Sequence, residues 1–154
     1  HDECHPINDY GKAKLEMERS VAGRANVTCL RIGNVPGADM LFRSVRKGPV
    51  ALDQWRDKAG PKRSMIGLRE FGRMVAALFK LPERPKILNF AQPGLVSMES
   101  LLIAADADWH WQDAPETAVK ELALDLTLLT SLIDVPVGDP ATMVAEGRAC
   151  GAIA

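Results

Sequence analysis

Two stretches of the chain carry hydrophobic residues at the spacing of an amphipathic helix. Between residues 68 and 80, apolar side chains recur every three or four positions and form one face (Phe71, Met74, Val75, Leu78 and Phe79). A second stripe predicts a helix over about residues 9–22, which Asn8 or Asp9 can cap and Gly23 can end. We expect this stripe to face the protein interior. It consists of Tyr10, Lys14, Met17 and Val21.

Short apolar runs between the helical stretches predict strands. The clearest are residues 26–32, 50–55 and 86–91, and each is too short for a typical helix. Such runs alternating with helices are typical of strands buried in a parallel sheet, so we predict an α/β fold. Trp109 and Trp111 stand two residues apart and are expected to pack on one face of a further extended segment.

The remaining segments complete the predicted element order. Residues 38–47 are expected to form a short helix, and Ser97 is expected to cap another. Pro115 suits the first turn of a long helix ending near Ile133, whose leucines wrap most of its circumference. From Asp134 onwards the chain is rich in Gly, Pro and Ala, which predicts a partly mobile tail.

Composition narrows the class of protein without identifying it. The 154 residues suffice for one domain with a core, and 47% hydrophobic and 25% charged content is typical of globular proteins. A net charge of −1 gives no indication of a nucleic-acid or membrane-surface partner. No apolar run reaches membrane-spanning length and the first residues lack a signal-peptide pattern, so we expect a cytoplasmic protein.

The cysteines and histidines are too scattered to predict a disulfide framework or a metal site. Cys29 falls in a predicted strand, where we expect it to be a small buried hydrophobe. The residues concerned are Cys4, Cys29, Cys150, His1, His5 and His110.

The only tyrosine of the chain, Tyr10, is followed by Lys14 one helical turn later. An ammonium group beside a phenol favours the phenolate and lowers the tyrosine pKa, so the pair has the chemistry of a general acid/base. The same spacing also fits a tyrosine at the edge of the core, beside a lysine whose alkyl stem packs on apolar surface. The spacing alone leaves both interpretations open.

Turn-forming residues follow the first predicted strand, in the loop Gly33-Asn34-Val35-Pro36-Gly37. Ligands of open α/β sheets bind outside the carboxyl ends of the strands, so this loop is a candidate for ligand contacts. A plain turn is the alternative, since Gly, Asn and Pro favour turns in any context. The basic segment 56–63 is interpreted as a solvated surface loop, except that Arg63 leads into the apolar pair Met65 and Ile66.

Four segments together resemble the extended short-chain dehydrogenase/reductases, the NAD-dependent epimerase/dehydratase family. The run from Pro6 to Lys14 resembles the catalytic helix of that family, whose pattern is approximately Pro-x-x-x-Tyr-Gly-x-Ser/Ala-Lys. Residues 29–37, 63–68 and 87–91 resemble three further motifs, in the family's order and at about its spacing. The resemblance extends from about His5 to Leu132, and its most specific parts are the Tyr-Lys and Leu-Arg-x-x-Asn-Val motifs.

The resemblance implies an NAD- or NADP-dependent enzyme with a Rossmann-like fold. Tyr10 would be the general acid/base, and Lys14 would lower its pKa and hydrogen-bond the nicotinamide ribose. The backbone around Gly33, Val35 and Pro36 would lie near the nicotinamide. Epimerase, dehydratase and reductase activities on a hydroxyl or carbonyl substrate all fit this assignment.

The resemblance also implies a substrate site that includes Asn34 and Arg63. Asn34 matches a position that often contacts substrate, and Arg63 matches an arginine that contacts the phosphates in sugar-nucleotide epimerases, a task that suits a guanidinium fork. A nucleotide sugar is therefore an implied substrate, and a homodimer of the parent through the tyrosine-bearing helix is an implied assembly. The chain departs from the family at residues 64–68, where Asp-x-Ile-His-Val is common, and at Pro36, where an aromatic residue is common. These departures leave the substrate open.

A glycine-rich phosphate-binding loop, which the family carries upstream of the tyrosine helix, is missing from this sequence. We therefore expect one partial domain over residues 1–154 that corresponds to the C-terminal half of such an enzyme. Its predicted parts are the end of the dinucleotide-binding fold over about 1–48, a mixed segment with a small, mostly helical substrate-binding region over about 49–133, and a tail over 134–154. The alternative function is a truncated, non-catalytic remnant that acts as a binding or interaction module.

Overall fold

A computed structural model describes residues 5–6 and 8–154 of the chain. The predictions for His1, Cys4 and most of the opening loop lie outside the described residues. In the described part, the helices and strands follow the order α1 Asp9–Val21, β1 Cys29–Ile32, α2 Met40–Val45, β2 Val50–Gln54, β3 Lys62–Ser64, α3 Leu68–Phe79, β4 Ile87–Phe90, β5 Leu95–Ser97, α4 Met98–Ala104, β6 Trp109–Asp113, β7 Glu121–Leu122, α5 Thr127–Leu132 and α6 Pro140–Ala149.

Parallel pairing dominates the three small sheets formed by these strands. β1 pairs with β4 and β2 pairs with β6, both in parallel. β3 lies between antiparallel β5 and parallel β7. A single parallel bridge between Asn34 and Met65 joins the chain after β1 to the chain after β3. The predicted α/β fold with parallel strands is confirmed, but the expectation that the strand after residue 26 is buried is wrong, because no residue of β1 is buried and Ile32 is 47% exposed.

Local signals specify the helices that were predicted correctly. The Asn8 side chain accepts a hydrogen bond from Gly11 N (2.8 Å) and caps α1, and Ser97 accepts one from Ser100 N (3.0 Å) and caps α4. α3 buries Met74 within the predicted apolar face. α2 is shorter than predicted because Asp39 caps it and its last turn ends before Gly48.

Two hydrophobic clusters form the interior, and consecutive residues connect them. Met65 is fully buried in the first cluster, which α2, β2, α4 and α6 surround. Ile66 is fully buried in the second, between α3, β4 and α5. Because adjacent side chains of an extended segment point in opposite directions, this pair reaches both clusters.

The long helix predicted from Pro115 to Ile133 is wrong. A turn closed by Ala118 N and Pro115 O (2.9 Å) is followed by the short strand β7, and only α5 is helical. Backbone groups that a helix would need are bonded to β3 instead: Arg63 donates to the carbonyl oxygens of Val119 and Lys120, and Leu124 N donates to Ser64 Oγ.

The partly mobile tail predicted from Asp134 is also wrong for the segment that forms α6. Asp139 caps this helix by accepting from Thr142 N (2.8 Å), and Pro140 occupies its first turn. Met143 and Val144 are buried in the first cluster. The sequence contains a start signal for α6, the pair Asp139-Pro140, whereas the prediction of a mobile tail followed the Gly and Ala content of the segment.

Candidate functional site

Helix α1 brings Tyr10 and Lys14 together, as their spacing predicts. Lys14 Nζ lies 5.4 Å from the centroid of the Tyr10 ring, so the ammonium rests against the ring in a cation–π contact. Both side chains are open to solvent, and Tyr10 is 73% exposed. The pair is therefore accessible to a ligand.

The expectation that this face of α1 points into the protein is wrong. No residue of α1 is buried, and Met17 is 55% exposed. No described element packs extensively on the helix, so Tyr10 and Met17 are exposed and Val21 is only half-buried. α1 is tied to β1 instead by Glu18, whose carboxylate accepts hydrogen bonds from Nε (2.9 Å) and Nη2 (2.8 Å) of Arg31.

The loop after β1 is locked to its neighbours through the backbone. Gly33 N donates to Phe90 O (3.0 Å), and Asn34 N donates to Ser64 O (3.0 Å). A Cβ at Gly33 would lie 2.5 Å from Ser64 O, so a larger residue would force these segments apart. The predicted ligand loop is thus the junction of β1, β4 and β3.

The side chains of this loop differ in what they can offer a ligand. Pro36 is fully buried and Val35 packs against the second cluster, so only their backbone is available. Asn34 is half-buried, and its amide makes no hydrogen bond to a described residue. Asn34 is therefore the member of the loop with free side-chain donors and an acceptor.

Arg63 lies in β3, with its guanidinium partly engaged by backbone carbonyls. Nη1 donates to Lys62 O (2.8 Å) and Lys120 O (3.1 Å), and Nη2 donates to Val119 O (2.7 Å). The Nε–H and one hydrogen of Nη2 keep no protein acceptor in the described chain. Burial lowers the pKa of Arg63, while the charge of nearby Asp53 acts in the opposite direction.

A large open cavity, which the sequence did not predict, lies at the carboxyl ends of the parallel strands β2 and β6. Its volume is about 860 Å³, and its polar walls include Trp55, Arg56, Lys58 and Lys120. Lys120 forms an ion pair with Asp57, and this hydrogen bond lowers the pKa of Asp57. The signal that could have found the cavity is the pairing of two predicted strands, because parallel partners end at the same edge of a sheet.

The predicted site residues fall into two groups. Asn34 and Arg63 are close in the fold, because Asn34 is bonded to Ser64, the neighbour of Arg63. In the described chain, no hydrogen bond connects Tyr10 or Lys14 to the loop 33–36 or to Arg63. Tyr10 and Lys14 are thus joined by a direct side-chain contact, whereas Asn34 and Arg63 are linked through the backbone of Ser64.

In residues 5–6 and 8–154, no group of three or more His, Cys, Asp and Glu side chains could hold a metal ion. No helix within the same ranges combines the length and the hydropathy needed to cross a bilayer. Cys29, half-buried rather than buried as predicted, and exposed Cys150 are free thiols.

Comparison with known proteins finds matches among solved structures. No protein-family model matches the sequence, and a search of curated proteins finds no match. MoeE5 in complex with UDP-glucuronic acid and NAD matches 90% of this chain at 18% identity, with a TM-score of 0.65. TunA, an NAD-dependent NDP-hexosamine 5,6-dehydratase of tunicamycin biosynthesis, matches 94% at 20% identity, with a TM-score of 0.68. The UDP-glucose-4-epimerase from Stenotrophomonas maltophila with bound NAD matches 98% at 13% identity, with a TM-score of 0.67.

These likenesses cover nearly all of this chain but only part of each solved protein. The chain spans 53% of MoeE5, 54% of TunA and 60% of the epimerase. At such low identity the likeness is one of fold. The chain therefore has the fold of the matched part of these proteins, a Rossmann-like α/β fold, and it spans a little over half of each.

Proposed function

We propose that the chain is part of an NAD- or NADP-dependent epimerase, dehydratase or reductase that acts on a hydroxyl or carbonyl group, with a nucleotide sugar as substrate. The observation that carries the proposal is the match of at least 90% of the chain to NAD-bound or NAD-dependent enzymes of nucleotide sugars. The accessible Tyr10–Lys14 pair supports it, because such reactions need a proton donor and acceptor beside the reacting oxygen.

The described residues fit the nicotinamide end of a dinucleotide. When bound, the cofactor would supply or accept the hydride. The Lys14 ammonium is exposed and can donate to the ribose hydroxyls, while the backbone around Gly33, Val35 and Pro36 would lie along the nicotinamide. The sequence contains no glycine-rich loop for the pyrophosphate, so this chain accounts for only one end of the cofactor site.

Tyr10 would carry the proton in this reaction. In the oxidation of an alcohol, the Tyr10 phenolate accepts the proton of the hydroxyl group while a hydride leaves the carbon that bears this hydroxyl. In the reverse direction, the Tyr10 hydroxyl donates that proton to the carbonyl oxygen. Lys14 would hold a positive charge against the Tyr10 ring, with Nζ 5.4 Å from the ring centroid.

Asn34 and Arg63 would bind the substrate. The free amide of Asn34 can orient a sugar hydroxyl, and the remaining N–H groups of Arg63 can donate to a phosphate. The open cavity beyond β2 and β6 has room for a polar, aromatic-containing group, since Trp55 lines it together with three basic and three acidic residues (Arg56, Lys58, Lys120, Asp57, Asp113 and Glu116). These contacts support the substrate class and leave the individual sugar open.

Turnover measurements test this proposal in the longest natural protein that contains the chain. Tyr10→Phe should lower kcat by roughly 10²–10⁴-fold while NAD binding stays nearly unchanged, because the ring is kept and only the hydroxyl is lost. Lys14→Ala should lower turnover as well. Lys12→Ala is the matched control, since Lys12 is an exposed lysine of the same helix that pairs with Asp9 (3.1 Å). Near-normal turnover of Tyr10→Phe would reject the role of Tyr10.

An interaction module is the second candidate, and the exposed face of α1 favours it. A face with exposed Tyr10 and Met17 suits contact with another protein surface, including a second copy of the parent. Titration of NAD into the 154-residue chain separates the two candidates. Micromolar binding would reject the non-catalytic remnant, because a remnant selected only for protein contacts has no reason to keep cofactor affinity.

A further inference from the structure

A separate apolar cavity lies at the amino end of β1, whereas the loop 33–37 follows the carboxyl end of the same strand. Its volume is about 320 Å³, at the lower end of the range for small-molecule sites, roughly 300–1,000 Å³. The lead-in to β1 forms one wall, and α3 forms the other. The apolar lining consists of Val27, Leu30, Val75, Leu78, Phe79 and Pro85.

A polar cavity of about 270 Å³ adjoins this apolar cavity and forms its mouth. The two share the segment 26–28 and Arg84, and the polar one adds Glu83 and Lys86. Two cations and one carboxylate leave the mouth with a net positive charge. Lys86 Nζ donates to Arg24 O (3.0 Å), whereas the Arg84 side chain has no hydrogen-bond or ion-pair partner among the described residues.

An apolar cavity with an unpaired guanidinium at its mouth matches a ligand with an alkyl chain and one anionic group. Burial of the chain removes apolar surface from water, and the guanidinium fork can donate two parallel hydrogen bonds to a carboxylate. The single net charge of the mouth favours a monoanion. We propose that this composite cavity binds a free medium-chain carboxylate, with its alkyl chain between α3 and β1 and its carboxylate on Arg84.

This site is independent of the proposed enzymatic function. None of the residues assigned to the cofactor or to the nucleotide sugar lines it. Cofactor titration and carboxylate titration can therefore succeed or fail separately.

The test is a titration of decanoate into the 154-residue chain, followed through the backbone amide signals by NMR. Signals of residues 26–30 and 75–86 should shift together. Decanol, which has the same chain without the charge, should bind about fivefold or more weakly, because it forms no charge-assisted hydrogen bond with Arg84. Arg84→Gln should reduce decanoate affinity to that of decanol. Arg43→Gln, at an exposed arginine of α2, is the matched control and should change nothing.

A second variant tests the apolar part of the composite cavity. Val75→Phe fills the cavity and should remove the binding of both probes, with amide signals outside the cavity unchanged. Absence of binding to the unmodified chain, shifts confined to other regions, or full decanoate affinity in Arg84→Gln would each overturn the proposal. Arg84 is exposed, so its variant decides the question even where Val75→Phe disturbs folding.

Discussion

The two carboxylate oxygens of Asp39 lie in environments with opposite effects on the stability of the charged form. Its Oδ1 accepts a hydrogen bond from Phe42 N (3.2 Å) and caps α2, while its Oδ2 is buried without a partner in the described chain. Burial raises the pKa of Asp39, and the hydrogen bond from Phe42 N counteracts part of that rise. The carboxylate is therefore less favourable in the folded protein than in the unfolded chain.

Asp39→Asn should stabilise the protein at neutral pH. A carboxyl whose folded pKa is raised stabilises the fold at low pH, and this contribution is lost as pH rises from its ordinary value of 3.8 through the folded value. Asparagine keeps the oxygen that caps α2 and carries no charge, so the gain in unfolding free energy should be of order 1 kcal/mol at about pH 7.

Urea unfolding at about pH 3 and about pH 7 measures this difference. The gain of Asp39→Asn should largely vanish at the lower pH, where the aspartic acid is protonated in both states. Asp39→Ala, which also removes the charge but loses the cap, should be about 1 kcal/mol less stable than Asp39→Asn. An equal gain at both pH values would show that ionisation of Asp39 does not contribute.

At the scale of elements, α6 supplies the cap that α3 lacks. Gly67 stands at the N-cap of α3 and has no side chain to offer. Glu146 of α6 fills that role by accepting from Arg69 N (3.1 Å). A Cβ on Gly67 would lie 2.4 Å from Glu146 Oε2. The glycine that departs from the family pattern thus leaves room for a carboxylate from another helix.

Gly67→Ala and Glu146→Ala should therefore be coupled. Glu146→Ala loses the cap and should cost about 1 kcal/mol. Gly67→Ala displaces the carboxylate in the wild type and so loses the cap, which should cost about 1 kcal/mol. In the Glu146→Ala background there is no carboxylate to displace, and the φ of Gly67 is −67° and suits alanine, so the same substitution should cost little there.

A double-mutant cycle by urea unfolding measures this coupling, which we expect to be about 1 kcal/mol. Gly72→Ala is the matched control in the same helix, because a Cβ there meets no atom within 4 Å. It should stabilise the protein equally in both backgrounds. Additive effects of Gly67→Ala and Glu146→Ala would contradict the assignment of Glu146 as the cap of α3.

At the scale of the whole molecule, the sequence predicted what a few neighbouring residues determine. Asn8 and Ser97 cap helices through hydrogen bonds that span three positions, and Tyr10 meets Lys14 because one helical turn separates them. The helix predicted after Pro115 is wrong because residues far away in the sequence determine the structure of that segment. Arg63, 57 positions away from Lys120, holds that segment extended, and no local pattern reveals it.

The features of the candidate site also differ in whether neighbouring or distant residues determine them. The contact between Tyr10 and Lys14 follows from helix geometry alone, whereas the exposure of α1 depends on which elements lie over it. The partners of Arg63 and the cavity beside Trp55 depend on the pairing of β3 with β7 and of β2 with β6. Pairing over such distances is set by the packing of the whole chain, which periodicity does not encode.

The adjacent residues Met65 and Ile66 should make the two hydrophobic clusters unfold as one unit. Each side chain is fully buried in a different cluster, so neither cluster can open without disturbing the segment that connects them. Trp109 and Trp111 of β6 pack against the first cluster, Trp55 directly follows β2, and α3 contributes Met74 and Leu78 to the second cluster. Tryptophan fluorescence thus reports on one cluster, and far-ultraviolet circular dichroism reports on both.

Ile66→Ala should lower the unfolding free energy by about 2–5 kcal/mol and shift the urea midpoints of both signals together. The substitution leaves a cavity only in the second cluster, so a matching shift of the tryptophan signal requires that the first cluster depends on the second. Leu128→Ala, at a leucine that is 41% exposed, is the control and should cost less than about 1 kcal/mol. If the helix signal moved to lower urea while the tryptophan midpoint stayed in place, the clusters would be independent units, and the segment 65–66 would be a linker rather than a shared part of the core.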